Sequence, residues 1–70
     1  MTIGDNIKRL LEERGMSQNE LSRRTGISKA NVSLMVNGRR NDIKLHTLRS
    51  LCEALGCKAE DLMKGVGDEG

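Results

Sequence analysis

Gly15, Gly26, Gly38 and Gly56 each stand just after a stretch whose apolar residues recur every three or four positions. A helix that stops on a left-handed residue favours glycine at that point, so apolar period and stop signal agree four times along the chain. Ile3, Ile7, Leu10 and Leu11 precede the first stop, with Thr2 as N-cap and Asp5 in an acidic first turn. Ser17-Gln18-Asn19-Glu20 opens a second segment as a capping box, the Ser17 hydroxyl and the Glu20 carboxylate serving first-turn amides reciprocally. This helix runs to about Thr25. Ser28 caps a third, striped by Val32, Met35 and Val36. Beyond a polar loop from Arg39 to Lys44, the residues Leu45, Leu48, Leu51, Cys52 and Leu55 mark a longer amphipathic helix. A short helix near Lys58 to Met63 follows, anchored by Leu62 and Met63. No strand-like alternation persists beyond three or four residues. The pattern predicts an all-α fold of five helices, one domain over 1–64, with 65–70 a tail or the start of a linker.

Size and composition narrow the function. A 70-residue chain buries only about 60% of its unfolded surface, enough for one modest core. With no Phe, Tyr or Trp, that core must come from Leu, Ile, Val, Met and Cys, and no ring is present on which single-stranded bases could stack. No apolar run is long enough for a signal peptide or a membrane span, which points to a reduced, cytoplasmic setting with Cys52 and Cys57 as small packing residues. Zinc takes four ligands, and Cys52, Cys57 and the lone His46 lack the spaced pairs of a zinc site. His46 also has no nucleophile-and-acid arrangement around it. The expectation is therefore no enzyme, no metal and no cofactor.

Charge is distributed unevenly. Between Arg14 and Arg49 lie eight basic side chains against Glu20 and Asp42, a net of +6, while the flanking segments carry −1 and −3. A basic middle on an acidic frame suits contact with a polyanion. The same segment contains the tightest connection in the chain. Thr25-Gly26-Ile27-Ser28 joins two short helices, Gly26 supplying the positive φ of the turn and Ile27 packing beneath the corner. Leu21, Val32 and Met35 fill the angle between them. Rotating 100° per residue from Val32 places Ala30, Ser33, Leu34 and Asn37 on the opposite face, with Lys29 and Asn31 on its flanks. Small side chains there permit close approach, Lys29 and Asn31 can hydrogen-bond base edges, and Leu34 can meet a thymine methyl.

Gln18-Asn19-Glu20-Leu21-Ser22-Arg23-Arg24-Thr25-Gly26-Ile27-Ser28, then Val32-Ser33 and Asn37-Gly38-Arg39-Arg40, resembles the lambda-repressor-like, Cro-type helix-turn-helix family. Leu45-His46-Thr47-Leu48 and Ala54-Leu55-Gly56-Cys57 are similar to that family's fourth helix and its exit, so the likeness covers roughly residues 3 to 63. It implies a third helix lying in the major groove and dimers on near-palindromic operators. By the same resemblance Gln18 meets a phosphate and braces the recognition helix. Lys29 and Ala30 hold its first base-contacting positions, with Ser33 and Leu34 one turn later. Asn37, Arg39 and Arg40 meet phosphates.

Two positions depart from the family pattern. Ser22 replaces a small apolar residue, usually Ala, and Thr25 replaces an aliphatic, so each hydroxyl requires a partner, expected to be a carbonyl one turn back. Leu55, Leu62 and Met63 serve either a homodimer surface or plain closure of the core, with equal claim. The function expected is a sequence-specific, double-stranded-DNA-binding transcriptional regulator, a repressor acting as a homodimer away from membranes. The alternative is the antitoxin of a toxin–antitoxin pair, which shares this fold and also binds a toxin partner.

Overall fold

The computed structural model describes residues 2–40 and 42–66. Five helices follow in chain order: α1 (Ile3–Arg14), α2 (Gln18–Thr25), α3 (Lys29–Val36), α4 (Leu45–Leu55) and α5 (Ala59–Met63). Among the described residues there is no strand, and no helix is long and apolar enough to cross a membrane. α1 is the spine against which α3, α4 and α5 rest, while α2 packs on α3 and α4. Ile7 and Leu10 of α1, Leu21 of α2, Val32 and Met35 of α3 and Leu51 of α4 meet in one aliphatic core. Each such side chain contributes about 1.5–3 kcal/mol by leaving water.

Local chemistry sets the helix ends. At α1 the box closes both ways: the Thr2 N–H donates to Asp5 Oδ2 at 2.9 Å and the Asp5 N–H to Thr2 Oγ1 at 3.1 Å. That backbone donation from Thr2 holds the Asp5 carboxyl below its ordinary 3.8. At α2 only half of the expected box forms. The Glu20 N–H donates to Ser17 Oγ at 3.1 Å, but the Glu20 carboxylate turns forward and pairs with Arg24 at 2.6 Å. A guanidinium one turn ahead competes successfully with a backbone amide behind. At α5 the Lys58 N–H donates to Asp61 Oδ2 at 3.0 Å, so the lysine at the cap position is served by the acidic side chain after it.

Three features absent from the periodicity seat the helices on one another. Gly4 lies where α1 crosses the end of α3, and a Cβ there would stand 2.0 Å from the Met35 carbonyl oxygen. Asn6 is fully buried and donates from Nδ2 to the carbonyls of Leu62 (2.6 Å) and Lys64 (2.9 Å), tying down the end of α5. Arg14 Nε donates to the Leu55 carbonyl and so closes the end of α4.

The outer residues of α4 differ from the expected stripe. Leu45 is 70% exposed and leaves the core to Leu51 and Leu55. Stepping 100° per residue sets Leu45 about 120° round from Leu51 and only about 20° from Cys52, on a flank and not the inner face. The chain also packs beyond residue 64. The Val66 N–H donates to the Met63 carbonyl at 2.9 Å and the Val66 side chain rests against the core, so Gly65 and Val66 belong with the domain. The rest of the predicted tail, 67–70, lies outside the described residues.

Candidate functional site

The corner between α2 and α3 is closed by the two hydroxyls that depart from the family pattern. Gly26 takes φ 78° and donates its N–H to the Ser22 carbonyl at 2.9 Å. Thr25 Oγ1 donates to the Leu21 carbonyl at 2.7 Å, one turn back as expected, and accepts from the Ile27 N–H at 3.2 Å. Ser22 behaves differently: its hydroxyl reaches forward across the turn to the Ile27 carbonyl. A carbonyl one turn back is already engaged inside the helix, whereas that of Ile27 has left helical pairing and needs a donor. Both polar groups of Ile27 are thereby served by side chains of α2, and the angle at which α3 leaves the corner is fixed.

α3 begins from Ser28, whose Oγ accepts the Asn31 N–H at 3.2 Å. Its core side consists of Val32, Met35 and Val36, all buried. Lys29, Ala30 and Asn37 are exposed, and Asn31, Ser33 and Leu34 are half-buried. The residues expected to read bases thus avoid the core, and most lie on one face. Asn37 Nδ2 donates to Ser33 Oγ at 3.3 Å, which orders two polar side chains along that face. No carboxylate stands in the first turn of α3, so the positive end of its backbone dipole adds to the charge of Lys29.

Basic groups surround this helix. Arg39 and Arg40 follow its end, both exposed, and Gln18 is exposed at the first position of α2. A groove of about 340 Å³ beneath the corner brings Arg40 and Lys44 beside Ser28 and Asn31 at the start of α3. Lys44 is not among the site residues singled out from the sequence, where it closes the polar loop before α4. Its only sequence signal is membership of the basic middle segment.

Of the three residues weighed for a dimer surface, Leu55 and Leu62 are 2% and 0% exposed, spent on closing the protomer's own core. Met63 is 42% exposed. The other exposed large hydrophobic residue described is Leu45, at the start of α4.

The family model of the Cro/C1-type HTH DNA-binding domain matches residues 6–68. The chain is 44% identical over 69 residues to the HTH-type transcriptional regulator YozG of Bacillus subtilis, spanning 99% of this chain and 82% of that one. It is 36% identical over 66 residues to the HTH-type transcriptional repressor RghR of the same organism, covering 94% of this chain and 49% of that longer protein. Among solved structures, the restriction-modification controller protein C.AhdI from Aeromonas hydrophila matches with a TM-score of 0.80 at 27% identity, over 86% of this chain and 89% of that one. The glycine corner, the polar outer face of α3 and these matches agree, and the chain belongs to the Cro/C1-type helix-turn-helix family of DNA-binding domains.

Proposed function

We propose that this DNA-binding transcription regulator is a repressor that binds a near-palindromic operator as a homodimer, with α3 of each copy in the major groove. The observation that carries the reading is the outward face of α3. A helix held by its buried side alone presents Lys29, Ala30, Ser33 and Leu34 with no core to pack on and no acidic residue among them. Lys29 and Asn31 hydrogen-bond base edges, Ala30 and Ser33 allow close approach, and Leu34 contacts a thymine methyl. Gln18, Asn37, Arg39 and Arg40 hold phosphates on either side and set the register. The similarity to the repressor RghR supports the sign of regulation, and the domain's short axes of 21 and 20 Å let two copies stand side by side with their α3 helices about one turn of DNA, ~34 Å, apart.

Phosphate contacts supply most of the affinity and base contacts the choice of site. If each copy neutralises three or four phosphates, a dimer shows a log–log salt slope of roughly −5 to −7. Selection of bound sequences from random duplex DNA is expected to return a two-fold symmetric consensus. On that consensus Lys29→Ala costs about 1–3 kcal/mol and relaxes preference at one base pair. Arg39→Ala or Arg40→Ala weakens all sequences alike and flattens the salt slope by about one. Equal losses on selected and random DNA for Lys29→Ala would remove it from the base-reading set.

A further inference from the structure

α3 is seated by different means at its two ends. At the far end its backbone lies against Gly4 of α1, where a Cβ would stand 2.0 Å from the Met35 carbonyl oxygen and 2.8 Å from that of Val36. Backbone packed on backbone has no room to shift. At the near end α3 hangs from Ile27, a half-buried residue of the turn. The Ile27 N–H donates to Thr25 Oγ1 at 3.2 Å, and the Ile27 carbonyl accepts the Ser22 hydroxyl. Thr25 Oγ1 is itself anchored on the Leu21 carbonyl at 2.7 Å, so α2 grips the turn through two hydroxyls. Between the ends, Val32 and Met35 are buried in the aliphatic core. Such contacts keep the helix on the core but are non-directional, so they do not set its tilt.

We propose that Ser22 and Thr25 are positioning residues for DNA recognition: with the Gly4 contact as fulcrum, their hydroxyls set where the Lys29 end of α3 lies, and so which bases it reads, without touching DNA. The lever arm gives this weight. α3 has eight residues and is about 12 Å long, so a tilt of about 5° at the fulcrum carries Lys29 about 1 Å sideways. A hydrogen bond to a base edge does not survive that displacement, because donor and acceptor must stay about 2.7–3.2 Å apart. Residues near the fulcrum hardly move. Asn37 follows α3 directly, and the Arg39 N–H is tied back to the Leu34 carbonyl at 2.9 Å, so the phosphate contacts ride on the fixed end. Base choice at the Lys29 end and grip on the phosphates are thereby separable. Removing the hydroxyls leaves the fold standing, since Gly26 and Ser28 beside Ile27 are exposed and water can serve its freed polar groups. Nothing then holds the near end at one angle. This assignment rests on the reading of α3 as the helix in the major groove and adds two residues outside the set that contacts DNA.

Duplexes that the wild-type chain selects from random sequence test it, with binding to selected and random duplex measured across salt. Lys29→Ala and Leu34→Ala first map the base pairs read by each part of α3. Ser22→Ala combined with Thr25→Val keeps shape and removes both hydroxyls. The double variant is expected to lose about tenfold in selectivity, the loss falling on the base pairs mapped by Lys29→Ala and sparing those mapped by Leu34→Ala. Its affinity for random duplex and its salt slope should match wild type. Thr25→Ser, which keeps the hydroxyl and drops the methyl, should retain wild-type selectivity, whereas Thr25→Val alone should lose part of it. Circular dichroism checks that each variant is folded in the assay, and if the double variant is not, the Thr25→Ser and Thr25→Val pair decides. Unchanged selectivity without the hydroxyls, a loss spread evenly over all base pairs, or a larger loss for Thr25→Ser than for Thr25→Val would overturn the positioning role and leave α3 as the reading helix. No loss of selectivity for either Lys29→Ala or Leu34→Ala would instead take α3 out of the groove, and the positioning role with it.

Discussion

α3 and α4 solve opposite problems with similar material. α3 spends Val32, Met35 and Val36 on the core and shows water mainly small and polar side chains. α4 buries Leu51 and Leu55 yet leaves Leu45 70% exposed. A surface that meets a hydrated polyanion gains from close approach, hydrogen bonding and positive charge, not from apolar area. A surface that meets protein gains from area removed from water. The two helices share one core, so what each turns outward distinguishes the kinds of partner they suit.

The contrast extends to how each helix is seated. The end of α3 is held by close backbone approach at Gly4, and that of α5, next to α4, by hydrogen bonds from Asn6. Gly4→Ala is expected to be the most damaging single change. Its Cβ would meet the carbonyl oxygen of Met35 at 2.0 Å and that of Val36 at 2.8 Å, and backbone cannot rotate away as a side chain can. Overpacking of this kind costs about 3 kcal/mol or more, read as denaturant midpoint, and any folded remainder should lose DNA selectivity because α3 has shifted. A wild-type midpoint would show that α1 and α3 are not in close contact. Asn6→Ala comes next. It removes one buried and one partly buried hydrogen bond and costs about 2 kcal/mol, offset in part because Asn6 Oδ1 has no partner among the described residues. Its damage should fall on the α5 side, so selected DNA is read with unchanged base preference. Altered preference would mean the two seats are coupled through α1.

Much of this was legible before any coordinates. Periodicity and glycine stops identify five helices because both report the backbone of a single segment, and the outward face of α3 follows from the 100° step alone. What pattern missed depends on where segments meet. Gly4 and Asn6 sit within the apolar period of α1 without sharing its chemistry, and their roles exist only once α3 and α5 lie across them. Leu45 fits the period of α4 but faces its flank, because period cannot say how wide a face the core will cover. Ser22 was expected to bond backwards and bonds forwards, since the available acceptor is made by the turn and not by the helix. Leu55 and Leu62, which pattern left open between core closure and a dimer surface because an apolar residue reads the same in either role, lie buried in the protomer.

The smallest expected effect concerns the exit of α4, where Cys57 tests how firmly that end is closed. Its N–H donates to the Cys52 carbonyl at 3.0 Å, and its side chain rests half-buried against the core. Burial, followed by the neighbouring Cys52, pushes the Cys57 thiol up from 9.0 to about 11. A thiol that ionises near 9.0 unfolded and near 11 folded adds stability in full below the lower value and loses it as pH rises between the two. The change in midpoint should be slight, because the group is only partly withdrawn from water. Alkylation is the sharper probe, since the thiolate is the reacting form. Its rate at Cys57, localised by peptide fragmentation, should keep climbing past pH 9 instead of levelling there. A plateau near 9.0 would place the thiol in open solvent, with the α4 exit frayed and Arg14 no longer closing it.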